Sequence, residues 1–191
     1  MATPRKNPTG TRAPRRHEPG RGDRLVETTL KVIEERGLAG TTYRSVAAAA
    51  DVPLGSITYR FKSLDELIAA AFMHYMEEQA ALFDARLAKI VGKQKLAEAL
   101  TDIVFEQFLA NEDKVVIAYE LYLGASQRPA LKEITNLWMR RSRGALEKII
   151  DPALARVVDA LLEGLVLHTI LEREPMNRRE IRNVFLRVLD T

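Results

Sequence analysis

From Gly22 to Leu189 the apolar residues recur three and four positions apart, and no stretch alternates apolar with polar as a half-buried strand would. That single periodicity confines the chain to an all-α fold. Each helix hides one stripe and so must pack on its neighbours, and 47% apolar residues in a chain of 191 are enough for a buried core. About nine helices are expected. The first covers 22–36 and is closed by Gly37, the second starts at Thr42, whose hydroxyl can cap it, and the third covers 54–61. Ser63 with Glu66 three residues on is a capping box that opens a long fourth helix reaching toward Ile90. Five more follow at about 94–110, 112–126, 129–149, 152–173 and 178–190. Arg128-Pro129, Asp151-Pro152 and Asn177 with Glu180 mark the starts of the last three.

Charge is distributed unevenly. The formal balance is only +3, yet residues 1–64 hold twelve Lys and Arg against six Asp and Glu, while residues 65–191 hold seventeen against twenty. A basic front on a mildly acidic body is the pattern of a protein that meets a polyanion with one part only. Residues 1–21 are rich in Pro, Gly, Thr and Arg and read as a disordered basic arm, which can track phosphates or be a plain solvated tail. The chain has no cysteine, which removes disulfides, thiolate metal sites and cysteine nucleophiles. Nothing apolar is long enough to span a bilayer. There is no phosphate loop, no dinucleotide-binding glycine pattern and no metal-binding histidine pair, so an enzyme is not expected, nor is a metal or cofactor.

The stretch Thr42 to Lys62, TYRSVAAAADVPLGSITYRFK, is helix, tight turn and helix within about twenty residues, the helix-turn-helix arrangement. Ala47 is small where the two helices cross, and Val46, Val52, Ile57 and Phe61 supply apolar contacts. Asp51 falls where the turn calls for a residue tolerant of positive φ. The second helix presents Leu54, Gly55, Ser56, Thr58, Tyr59 and Arg60, followed by Lys62. Gly55 and Ser56 leave room for a groove, Tyr59 and Lys62 can reach phosphates, and Arg60 can meet a phosphate or a guanine edge. Thr42 and Arg44 join them as candidate DNA contacts. The competing reading is a helical interaction module that binds nucleic acid without sequence preference.

Residues 22–72 resemble the DNA-binding domain of the TetR family of bacterial regulators. The resemblance runs from Thr41-Thr42 and Val46-Ala47 through Val52-Pro53-Leu54-Gly55-Ser56-Ile57-Thr58-Tyr59-Arg60-Phe61 into Lys62-Ser63-Leu64-Asp65-Glu66-Leu67. Asp51 stands where glycine is usual, Thr58 and Arg60 where aromatic residues are more common, and Leu64 where lysine often is. The resemblance implies a cytoplasmic bacterial homodimer that sets one recognition helix of each protomer in a major groove of an inverted-repeat operator. It also implies a repressor released by a small-molecule effector. Residues 73–191 share only the general architecture, a helical ligand-binding and dimerisation domain, so the effector's identity is not inherited.

In that domain Leu161, Leu165, His168, Ile181, Val184, Phe185 and Val188 are the expected dimer face, with Gly164 permitting close approach. Candidate pocket residues are His74, Phe105, Tyr119, Glu120, Tyr122, Trp138, Arg141 and His168. Glu120 stands in the apolar run VVIAYELYLGA, and a carboxylate buried there needs a partner, either a ligand or Arg141. Changing Glu120 is expected to alter the ligand response without touching the affinity for bare DNA.

Overall fold

A computed structural model describes residues 21–190, and the basic arm expected over 1–21 falls almost wholly outside them. Nine α-helices are found among the described residues: α1 Arg21–Arg36, α2 Tyr43–Ala49, α3 Leu54–Arg60, α4 Leu64–Leu87, α5 Lys93–Asp102, α6 Glu112–Ala125, α7 Pro129–Leu146, α8 Pro152–Leu171 and α9 Arg178–Leu189. The expected bounds differ from these by a few residues at most, except between α5 and α6. There a π-helical segment, Ile103–Phe108, and a 3₁₀ turn, Leu109–Asn111, carry the chain from one helix into the next. A period of 3.6 residues cannot reveal a wider turn, so the periodicity reads straight through it.

The helix ends follow local chemistry. The Ser63 hydroxyl accepts from the Glu66 N–H, while the Glu66 carboxylate reaches one residue beyond the cap and accepts from the Lys62 N–H at 2.7 Å. Asp151 accepts from the N–H groups of Ala153 and Leu154 ahead of α8, and Asn177 and Glu180 cap each other's backbone at α9. Thr42 and Ser45 do the same for α2.

Helices α2 and α3 are seven residues each, too short to persist alone. They are held by a small core in which Val46, Ala47, Ile57 and Phe61 meet Leu25 and Val32 of α1 and Leu67 of α4. The turn between them places Asp51 at φ 50°, with the Val52 N–H donating to the Ala47 carbonyl. A β-branched residue fits that conformation poorly, so Asp51→Val is expected to lower stability by about 1–2 kcal/mol, and Asp51→Gly is not; urea unfolding of the two variants measures the difference.

A second core joins the head to the rest. Ile33 and Leu38 from the first helix and its loop pack with Ile68, Phe72, Tyr75 and Met76 of α4, Ile117 and Leu121 of α6, and Leu131 and Ile134 of α7. The largest core, formed by α5, the π segment, α8, α9 and the ends of α4 and α7, fills the distal half. Helix α4, roughly 36 Å long at 1.5 Å per residue, lines all three.

Candidate nucleic-acid interface and interior site

In the head, burying Ile57 completely turns the remaining face of α3 outward. Tyr59 is 94% exposed, and Leu54, Gly55, Thr58 and Lys62 are exposed with it. A methyl group at Gly55 would meet nothing within 4 Å. Ser56 is half-buried, and Arg44 is exposed on α2. Two expected contacts are partly committed elsewhere. The Thr42 hydroxyl is the α2 cap, and the Arg60 guanidinium lies so close over Gly22 of α1 that no Cβ would fit between them. Arg24 of α1 braces the pair by donating to the Ala50 carbonyl at 3.0 Å, and the Tyr43 hydroxyl donates to the Phe61 carbonyl. The result is a short, braced helix with small and hydroxyl-bearing side chains outward, flanked by cations that can reach phosphates.

The interior site is centred on a residue that did not stand out in the sequence. Glu163 of α8 is half-buried, and its carboxylate is turned inward, accepting from the Tyr122 hydroxyl at 2.8 Å with the Trp138 indole N–H nearby. The Tyr119 hydroxyl donates to the Glu163 backbone carbonyl. Burial, reinforced by Asp159 one turn away, holds the Glu163 carboxyl above the usual carboxylate range, although the Tyr122 hydroxyl and the Trp138 indole act against the shift. The same burial, together with Glu163, raises the Tyr119 and Tyr122 phenols well above theirs. Asp159 has a cation, Arg143, at 2.8 Å; among the described residues Glu163 has none. Trp138 stacks on Tyr75 with centroids 5.9 Å apart and planes 8° from parallel, and Tyr119 meets Tyr122 at 6.2 Å, so the carboxylate is set among four aromatic rings.

Trp138 also lines a small, partly open cavity of about 20 Å³ with Phe83, Phe108, Gln79, Gln107 and Arg141. The Gln107 amide donates to Gln79, and this pair also lines an outer cavity of about 130 Å³ that includes Arg86 and Lys114. Gln79 is 1% exposed, and its own Nε2 has no hydrogen-bond partner among the described residues. A buried donor left so costs free energy, which a hydrogen-bond acceptor brought into the cavity would recover.

Of the eight expected pocket residues, the structure brings Tyr119, Tyr122 and Trp138 together and sets Arg141 at the cavity wall. The other four lie elsewhere. His74 faces Glu78 on its own helix, Phe105 lies beneath the Arg178 guanidinium, and His168 is exposed beside Glu172. Glu120 accepts from the Leu38 N–H at 2.8 Å, and Arg141 pairs with Asp84, so the expected Glu120–Arg141 link does not form. The criterion that singled out Glu120, a carboxylate in an apolar run, applies equally to Glu163 in LLEGLVL. On the expected dimer face, Leu161, Leu165, Val184 and Val188 are half-buried and His168 is exposed, whereas Ile181 and Phe185 are fully buried in their own core. Val157, 53% exposed one turn before Leu161, extends the outward face, and a methyl group at Gly164 would meet nothing within 4 Å.

Comparison with known proteins places both halves. Residues 25–71 match the model described as bacterial regulatory proteins, tetR family, and residues 91–191 match the tetracyclin repressor-like C-terminal domain. The SCO7518 protein of Streptomyces coelicolor A3(2) superposes with a TM-score of 0.85 at 40% identity, covering 91% of this chain and all of that one. The multidrug binding protein EbrR, in its complex with ethidium, superposes with a TM-score of 0.74 at 34% identity, covering 90% of this chain and 99% of that one; it has also been crystallised with proflavin and malachite green. The HTH-type transcriptional regulator CymR of Pseudomonas putida is 25% identical over 178 residues, 86% of this chain and 87% of CymR.

Proposed function

The chain belongs to the TetR family of bacterial regulatory proteins, a ligand-responsive DNA-binding transcriptional regulator, and we propose that it is a dimeric repressor released from an inverted-repeat operator by an aromatic cation. The inward carboxylate of Glu163, set among Tyr75, Tyr119, Tyr122 and Trp138 with no cation of its own among the described residues, carries the effector reading. A cation at that place gains the carboxylate and the ring faces together, in surroundings where both count for more than they do in water. The ligands of EbrR, among them ethidium and malachite green, support the same class. The Gln79 amide then favours an effector that also carries a hydrogen-bond acceptor.

A cavity of about 20 Å³ is far smaller than the few hundred Å³ that a drug-sized ligand fills. The effector therefore binds a state in which the helices around Glu163, α4, α6, α7 and α8, stand further apart, and its preference for that state is what shifts the head. In the absence of effector, α3 of each protomer enters a major groove and the two half-sites fix the spacing of the heads. The protein acts in the cytoplasm, with its DNA, and its role is regulatory rather than enzymatic.

Selection from a random duplex library, followed by footprinting with excess competitor, tests this. The expected result is an inverted repeat protected by the protein and released by tetraphenylphosphonium, a permanent aromatic cation that does not intercalate. Competitor-sensitive binding with no sequence preference would instead indicate the interaction module. On the selected site, Lys62→Ala is expected to weaken all DNA binding and to reduce the salt slope by about one. Tyr59→Ala is expected to weaken it similarly across sequences, as loss of a phosphate contact does.

A further inference from the structure

Helix α6 faces two ways. Tyr119 and Tyr122 direct their hydroxyls at Glu163, the first to its backbone carbonyl and the second to its carboxylate. Glu120, between them in sequence, turns to the opposite side and grips the loop that follows α1, its Oε2 accepting from the Leu38 N–H at 2.8 Å. That grip is built in detail. Gly37 has φ 68°, a backbone state that side chains disfavour, and a methyl group there would lie 2.9 Å from the Glu120 Oε1. One turn along α6, a methyl at Gly124 would come within 2.6 Å of the Leu38 Cδ2 and 2.8 Å of the Leu131 Cδ1. The Leu38 side chain is 7% exposed, seated in the core shared by α1, α4, α6 and α7.

We propose that the Glu120 carboxylate is the joint through which occupancy of the interior site reaches the reading head. This rests on the effector reading above. An aromatic cation at Glu163 competes for the carboxylate that the Tyr122 hydroxyl now holds, so α6 is displaced from the inside. A charge-assisted hydrogen bond to a backbone N–H transmits that displacement to the loop between α1 and α2, where a purely apolar contact would slide. Glu120 is thus a positioning residue that touches neither DNA nor effector.

The test uses the full-length protein and its Glu120→Ala and Glu120→Gln variants, the glutamine retaining an oxygen that can accept. Without effector, exchange of the amides at 37–41 is expected to quicken at least tenfold in Glu120→Ala and to stay near wild type in Glu120→Gln. With tetraphenylphosphonium, the factor by which operator affinity falls is expected to shrink at least tenfold in Glu120→Ala, while direct binding of the cation changes less than twofold. Unchanged exchange in Glu120→Ala, or an unchanged release factor, overturns the joint. A wild-type protein that binds the cation but keeps its operator defeats the effector reading instead, and the exchange arm still decides whether Glu120 holds the loop.

Discussion

Glu163→Gln is expected to weaken ethidium binding, measured without DNA, by about a hundredfold or more, because it removes the charge of the inward carboxylate that the bound cation would meet while keeping the shape of the side chain. The pH dependence gives this a second signature. Burial holds the Glu163 carboxyl above its ordinary range in the free protein, so ethidium affinity should fall as pH drops through that raised value. The glutamine variant should be weak and flat. Free-protein stability runs the other way. The native state holds the Glu163 proton more tightly than the unfolded chain, so the cost of the buried charge is fully present above the raised value and disappears as pH falls to the ordinary carboxylate range. Glu163→Gln is therefore expected to be more stable than wild type at neutral pH and no different in acid. Ethidium binding that is unaffected by the substitution would place the effector elsewhere.

Val157→Glu is expected to give a folded monomer that has lost operator binding by a factor of about a hundred to ten thousand. Val157 is 53% exposed on α8, so the substitution leaves the protomer core alone; it places a carboxylate on the face that Leu161 and Leu165 continue. Two heads bound through one dimer act at a high effective concentration, and a monomer forfeits that advantage without losing any contact of its own. Ultracentrifugation and titration on the selected operator measure the two halves of this expectation. A variant that remains dimeric would move the interface away from α8. Ile181 and Phe185 make poor probes of the interface, because truncating either opens the distal core.

What could be read in the sequence was what is decided locally. Ser63 with Glu66, Asp151 before Pro152 and Asn177 with Glu180 mark helix starts through bonds made within four residues, and the structure makes them, except that the Glu66 carboxylate takes the Lys62 N–H in place of the Ser63 one. The turn at Asp51 was legible for the same reason. The exposed face of α3 followed from burying Ile57 at the right phase. The interior site was not legible, because Glu120 and Glu163 are alike in sequence, each a carboxylate among apolar neighbours on a helix. Only the docking of α6 between the head and α8 decides that one grips a backbone amide and the other faces aromatic rings. The π segment was hidden because its wider turn keeps the inward pattern of Ile103, Val104, Gln107 and Phe108. Ile181 and Phe185 look like interface residues until the position of α5 is known.

The shared core of α1, α4, α6 and α7 limits how proteins of this kind can be recombined. If head and sensor met through a flexible tether, a chimera could exchange one for the other at any point along α4. Here Leu38 seats against Gly124 and Leu131, and Gly37 leaves room for Glu120. A transplanted head therefore needs these partners to travel with it. A fusion cut only at Ser63 is expected to carry the specificity of one parent and the pocket of the other without coupling them, and a graft that takes positions 37, 38, 120, 124 and 131 from a single parent is expected to restore the coupling.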